Sequence, residues 1–515
     1  MSLHTTIEKY SHFFVVKNPT KNIYPVIYQL SSKYTQFGMK FDHYTKKQKW
    51  GPLKTFAIYV ERGSEFRFHI GQYQEFMDAL LNRYIDKSSY SVIEHPVEVP
   101  EKIDIKLKDG WELRDYQQEA HDFIVEETEG NFNSPLVMIQ TGGGKTVTAL
   151  AAAATLKYRF AVVVLASYVD KWIGDISEIL KIDKSEIAAI RGSDALQRCT
   201  RYPESDLPIP KAFVISISTI ANWYKFYEER RDHPSLEAYS CKPWEFFSHL
   251  GIGTVIFDEV HQHPHAVYRI YTYLHAPRTI SLSATLLTKD PTLQKVQAMM
   301  FPHHRRYDKL KLKRYITVHA CAYQISNFIN SHIRTTEYGQ NSYSQTAFEK
   351  SILKHRNLSK QYLDMIADLV QSSYIEGKME GDKLAIFVGS AKMADTVVGI
   401  LKKRFSGLDI RTYLERDPYE NAIVPDVRVS TILSLGTAVD IPQLRVSIMT
   451  NSIESPIANV QTLGRLRELK DRDVRFYYLY CSTIPKHQEY HLKKIDLFSS
   501  RVKEHKQLFL RTLYP

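Results

Sequence analysis

The stretch MIQTGGGKT (138–146) places consecutive glycines ahead of a lysine and a threonine, between an apolar run and a helical pattern. Glycines let the backbone curl so that successive N–H groups point at phosphate oxygens, and a helix start adds its own N–H groups. Thr141, Gly142, Gly143 and Gly144 would form this turn, Lys145 would reach the β and γ phosphates, and the Thr146 hydroxyl would ligate magnesium. Ile139 stands where the longer GxxxxGK[ST] pattern has its first glycine, so the match is to the shorter TGxGKT form. Further along, TVIFDEVH (254–261) delivers two adjacent carboxylates at the carboxyl end of an apolar run, where open α/β sheets bind ligands. Asp258 would hold magnesium through water, and Glu259 would orient and deprotonate an attacking water. The chemistry these residues can do together is hydrolysis of ATP with Mg2+. His261, His263 and His265 alternate after the carboxylates. They read as polar couplers, with a zinc site as the alternative.

Such a site needs strands to carry it. PLVMI (135–139), AVVVL (161–165), AFVISI (212–217), TVIF (254–257) and TISLS (279–283) read as buried strands, with helical stretches such as TVTALAAAATLKY (146–158) between them. Strands alternating with helices predict a parallel sheet covered on both faces. The pattern recurs in KLAIFV (383–388), LDIRTY (408–413), VRVSTI (427–432), LRVSIM (444–449) and VRFYYLY (474–480). The expected fold is therefore α/β: two tandem RecA-like lobes, each a parallel sheet with helices on both faces, plus a small α+β N-terminal domain. The expected divisions are 1–103 for the accessory, DNA-binding domain, 104–304 for the first lobe, 305–490 for the second, and 491–515 for an amphipathic helical tail. The basic stretch 305–318 carries the crossover between lobes, and GQYQEFMDALLNRY (71–84) predicts a helix in the accessory domain.

Further motifs narrow the class. LRDYQQEA (113–120) precedes the phosphate loop, SLSAT (281–285) follows the carboxylates, and FVGSAKMAD (387–395), SLGTAVDIP (434–442) and QTLGRLR (461–467) follow in the second set of strands. In type and order they resemble the motifs of superfamily 2 helicases. That resemblance implies that Gln117 pairs with the adenine edge and Arg114 reaches a phosphate. Ser283 and Thr285, with His261, would couple hydrolysis to movement, and Asp440 and Gln461 would lie at the nucleotide. The second lobe must supply positive charge to the γ-phosphate. Arg465 matches the first arginine of the QxxGRxxR pattern; Glu468 stands at the second, and Arg467 falls one residue early. A one-residue step turns a helix by about 100°, so Arg465 is the stronger candidate finger and Arg467 the weaker. Ala438 replaces a glycine found in many relatives. ASYVDKW (166–172) and ISISTIANW (215–223) resemble the segments that hold nucleic-acid phosphates, while Trp172 and Trp223 read as core residues.

The least generic segments point to one branch. FGMKFDHYTKKQKWGPLKTFAIYV (37–60), FHIGQYQEFMDAL (68–80) and MMFPHHRRY (299–307), with Trp50, Gly51, Gly71 and Gln72 in the corresponding places, resemble the UvsW-type helicases of T-even bacteriophages, and more distantly the XPB and RecG groups. The segment 222–250 is an apparent insertion relative to that branch. The resemblance implies unwinding, branch migration, fork regression and annealing of branched DNA in phage recombination, repair and replication. Implied partners are branched, forked or single-stranded DNA, with phage recombination or single-strand-binding proteins.

Bulk properties agree. The 515 residues exceed one hydrophobic core, and the net charge of +11 favours an anionic partner. The four cysteines form no CxxC pair, and no apolar run reaches membrane-spanning length. The reading is a monomer without membrane contact, in the cytoplasm of an infected bacterial host. Rival readings are a duplex-DNA translocase subunit of a restriction-type complex, an RNA helicase, and a non-catalytic scaffold.

Overall fold

The computed structural model describes residues 4–515 except 43–46, 61–63, 127–133, 140–142, 285, 287, 289, 309–313, 331, 338–341 and 436–440. The chain divides into two compact units, 1–310 and 311–515.

Runs of Val, Ile, Phe and Ala too apolar for one wet face become strands buried on both sides. In the first unit they form a seven-stranded sheet. Its order is Ile187–Ile190, Ala212–Ser216, Arg159–Val164, Ile252–Phe257, Arg278–Ser283, Leu136–Met138 and Arg306–Tyr307, every pair parallel. The second unit holds another seven-stranded sheet, ordered Ile410–Tyr413, Val427–Thr431, Lys383–Val388, Leu444–Met449, Val474–Cys481, Ile316–Ile325 and Glu504–Leu513, again all parallel. Numbered in chain order within each sheet, both sheets have the same strand order, 3-4-2-5-6-1-7. These are two RecA-like lobes.

The N-terminal region forms a five-stranded mixed sheet, in which only Thr5–Lys9 and Tyr90–Glu94 pair in parallel. Two helices pack with it, Tyr24–Lys33 and Tyr73–Asn82. This region is continuous with the first lobe: Phe14, Phe56 and Phe76 share one buried cluster with Tyr268, Tyr271 and Val296. His12 bonds Thr279 at 3.1 Å, and Tyr268 donates to Gln72 at 2.8 Å. The apparent insertion contributes to the same core, with Trp223 stacked on Tyr239 at 4.7 Å.

Two sequence expectations change. Arg306–Tyr307 is the edge strand of the first sheet, beside Leu136–Met138, so the first unit runs past 304. The tail is not one helix. A helix spans Pro485–Ser499, and Glu504–Leu513 turns into an edge strand paired with Ile316–Ile325. The strand buries only Leu513 fully, so its polar face gave no apolar run to read. Among the described residues, no helix is long and apolar enough to cross a membrane.

Candidate active site

The site lies where strands 1 and 5 of the first sheet end. After Leu136–Met138 the chain reaches Gly144, whose φ of +84° lies in the left-handed region. A side chain there would be strained, and a Cβ would meet the Gln117 amide nitrogen at 2.0 Å. Gly144 caps the helix Lys145–Leu156, whose alanines 151–154 are buried, with small side chains that let it lie close over the sheet. Gln117 is itself buried. Its amide oxygen accepts from Arg114 N at 2.9 Å, and its amide nitrogen donates to Gly143 O at 3.4 Å. The predicted adenine-edge residue therefore sits directly on the phosphate loop. Arg114 is exposed and donates to the Tyr116 hydroxyl at 3.1 Å.

Strand 5 delivers the carboxylates. Asp258 N donates to Val163 O at 3.2 Å, extending the ladder by one residue. Glu259 then adopts a φ of 49°, uncommon for a residue with a side chain, and its carboxylate turns back onto the Lys145 ammonium. Strain of this kind persists only where surrounding contacts fix it. Here they include the Lys145 ion pair and His261 Nδ1, 3.2 Å from Glu259 Oε2. The buried His261 ring also meets Ser283 Oγ at 2.8 Å, linking the carboxylate segment to the Ser-Ala-Thr segment.

Trp172 is legible as a core residue, and it is fully buried. It also donates its indole N–H to Asp258 Oδ2 at 3.0 Å. The helix Val169–Ile179 thus fixes the rotamer of the predicted magnesium-binding carboxylate. No local sequence signal announces this, because the partners lie 86 residues apart.

Charge balance supports a cation site. Burial raises the Asp258 carboxyl above its usual range, and the neighbouring Glu259 raises it further. Glu259 is also penalised by burial, but Lys145 and then His261 outweigh that and hold it low. Two carboxylates share one lysine, so the uncompensated charge falls on Asp258. A divalent cation with an oxygen-rich ligand set fits this position. Thr146, the second helical residue, is half-buried on the same turn. Thr141, Gly142, Thr285 and Asp440 lie outside the described residues. Among the described residues no group of three or more His, Cys, Asp or Glu forms a metal cluster. The histidine run is divided in its tasks: His265 Nε2 lies 2.9 Å from Thr55 O in the N-terminal region.

In the second unit, Gln461 is half-buried on the helix Pro456–Leu463. Arg465 is buried just past that helix, at 4% exposure. Arg467 donates to Gly464 O, closing a local turn. The two candidate fingers thus stand in different settings. Sequence reasoning missed Glu349, which accepts from Gly389 N at 2.6 Å and from Ser390 Oγ at 2.7 Å, fixing the turn after strand 2.

Residues 110–288 match the family described as type III restriction enzyme, res subunit. The chain is 24% identical over 396 residues to a DNA 3'-5' helicase XPB of Kineococcus radiotolerans, covering 74% of this chain and 62% of that relative. It is 23% identical over 422 residues to the DNA 3'-5' translocase XPB2 of Sulfurisphaera tokodaii, covering 77% of this chain and 88% of that one. In sequence the chain is similar to XPB-type helicases and translocases. It spans less than two thirds of the length of the first of these relatives. Among solved structures, the Pyrococcus furiosus Hef helicase domain aligns with a TM-score of 0.43 at 14% identity, covering 74% of this chain and 98% of that one. The strand order shared by the two sheets carries the RecA-like fold.

Proposed function

We propose that this XPB-like chain is an ATP-dependent DNA helicase or translocase acting on branched DNA. The observation that carries the ATPase reading is the cluster at the end of strand 5: Glu259 paired with Lys145, and Asp258 held by the Trp172 indole. Lys145 would exchange its Glu259 partner for the β and γ phosphates when ATP binds, freeing Glu259 to take a proton from the attacking water. Bound magnesium would neutralise phosphate charge beside Asp258 and Thr146. His261 and Ser283 would transmit the change in Glu259 to the segment after strand 6. Arg465 is the residue we assign to stabilising the γ-phosphate during turnover.

DNA as the polymer is favoured by the XPB-type relatives and by the net charge of +11. Branched DNA, and a place in phage recombination and repair, are favoured by the UvsW-type resemblance of the N-terminal region. The test is ATP turnover without polymer, then with single-stranded DNA, duplex DNA, a four-way junction or RNA. Strongest stimulation by the junction is expected. Stimulation by RNA alone would move the assignment to an RNA helicase, and stimulation by blunt duplex alone to a duplex translocase.

A further inference from the structure

The N-terminal region carries a two-stranded antiparallel ribbon, Thr35–Asp42 with Lys47–Thr55, separate from its five-stranded sheet. Alternation along each strand and the cross-strand register sort its side chains into two faces. Phe37, Met39 and Phe41 lie on one face, opposite Pro52, Trp50 and Gln48. Lys40 lies on the other, with Lys49 opposite it in the register. Both faces are open to water, with Trp50 69% exposed, Met39 55% and Phe37 49%. Between residues 35 and 55 the sequence has five lysines against one aspartate.

An apolar aromatic face left in water on so thin an element needs an occupant. The ribbon's lysine excess over its one aspartate suits a polyanion. The two demands select one chemistry. Unpaired bases stack on exposed aromatic rings while flanking phosphates sit against lysines. A protein partner would satisfy the aromatic face without accounting for the basic one.

The ribbon's root is anchored by hydrogen bonds and ring contacts to segments that adjoin the ATP site in sequence. Thr35 donates to Ser31 O at 2.7 Å, and Phe56 is fully buried against Tyr268 and His265. Gln36 donates to Asp290 Oδ2 at 2.9 Å, and Asp290 caps the helix that follows the Ser-Ala-Thr segment. His265 binds Thr55 O at the end of the second ribbon strand and lies six residues past Glu259 in the sequence.

We infer that this ribbon is a nucleic-acid element that stacks the unpaired bases of a branch or single strand on Trp50 and Phe37, while Lys40 and Lys49 hold the adjoining backbone. The inference rests on the nucleic-acid motor reading above. The test uses the full chain and three DNAs: a fork with 2-aminopurine at the branch, a single strand and a blunt duplex. In the Phe37→Ala/Trp50→Ala variant, affinity for the fork and the single strand should fall about tenfold or more, with a much smaller loss on the duplex. The 2-aminopurine quench seen with the wild type should also disappear. Tyr84→Ala, which removes an aromatic ring off the ribbon that is 95% exposed, should keep the quench. Lys40→Gln/Lys49→Gln should lower the salt dependence of binding by about two phosphate contacts. Unchanged fork affinity in the aromatic variant, or an equal loss on all three DNAs, would overturn base stacking. If the wild type binds none of the three and shows no stimulated turnover, the motor reading itself fails. If the wild type is stimulated and the aromatic variant matches it in binding, only the ribbon assignment fails.

Discussion

The two sheets share one strand order, and the residues after strand 5 occupy matching backbone positions. Asp258 N donates to Val163 O on strand 2 of the first sheet, and Thr450 N donates to Phe387 O on strand 2 of the second. The side chains at these strand ends differ. The first sheet continues with Asp258 and Glu259 against Lys145, whereas the second continues with Thr450, Asn451 and Ser452. Each position has a lysine near it, half-buried in the first sheet and buried in the second. Lys145 faces a carboxylate; Lys494 meets the Asn451 carbonyl at 3.2 Å and Met449 Sδ at 4.0 Å, with the Tyr478 ring 4.9 Å away. Topology supplies a place for chemistry at a strand end twice, and side chains put a carboxylate–lysine cluster there once. Under the proposed function the second lobe would contribute a cation, Arg465, rather than a second ATP site.

Substitutions can break this comparison, and the largest effect is expected at Arg465. Arg465→Ala should lower stimulated turnover by roughly 10³–10⁵ while ATP affinity, followed with a fluorescent nucleotide, stays close to wild type. Next comes the matched pair after strand 5. Asp258→Asn should cost about 10²–10³ in turnover. Thr450→Val, at the corresponding position, should cost only about 1 kcal/mol of stability through its lost bond to Phe387 O, read from the thermal midpoint. Comparable turnover losses in the two variants would erase the asymmetry between lobes. A smaller effect is expected for Trp172→Phe, which keeps the buried ring and removes the N–H to Asp258. A hydrogen bond to a charged group contributes about 1.5–3 kcal/mol, so the magnesium concentration for half-maximal turnover should rise about tenfold.

The remaining effect, on stability and not on turnover, concerns Lys494. Burial lowers its ammonium from an ordinary 10.5 to about 7. Its folded pKa is depressed, so the unfolded chain binds the proton more tightly between these values. Stability from this group is complete above pH 10.5 and declines as pH falls to about 7. Lys494→Met should flatten that slope and stabilise the second lobe at neutral pH by about 1–4 kcal/mol. A thermal midpoint that keeps its wild-type pH profile would show that Lys494 is not held in this way.

Much of this architecture is legible in the sequence because buried parallel strands are continuous apolar runs. KLAIFV and LRVSIM become strands at the same residues, 383–388 and 444–449. Edge strands lack that signature. EHKQLFLRTL buries only its last leucine fully, so it reads as a continuation of the preceding amphipathic helix. Lys145, Asp258 and Glu259 are legible because each chemical role demands a residue type at a fixed place relative to a strand. Trp172 is legible only as a core ring, since its bond to Asp258 depends on how two distant elements pack. The ribbon's two faces depend in the same way on cross-strand register, which the alternation of one strand does not fix.

The most direct test of the hydrolytic centre is single-turnover ATP cleavage by Glu259→Gln beside direct measurement of ATP binding. The change removes the carboxylate's charge and its capacity to accept a proton while keeping its shape. Retained ATP binding with cleavage reduced by about 10²–10⁴ is the predicted result. Cleavage at close to the wild-type rate would contradict the assignment of Glu259 and, with it, the placement of the hydrolytic centre at the end of strand 5.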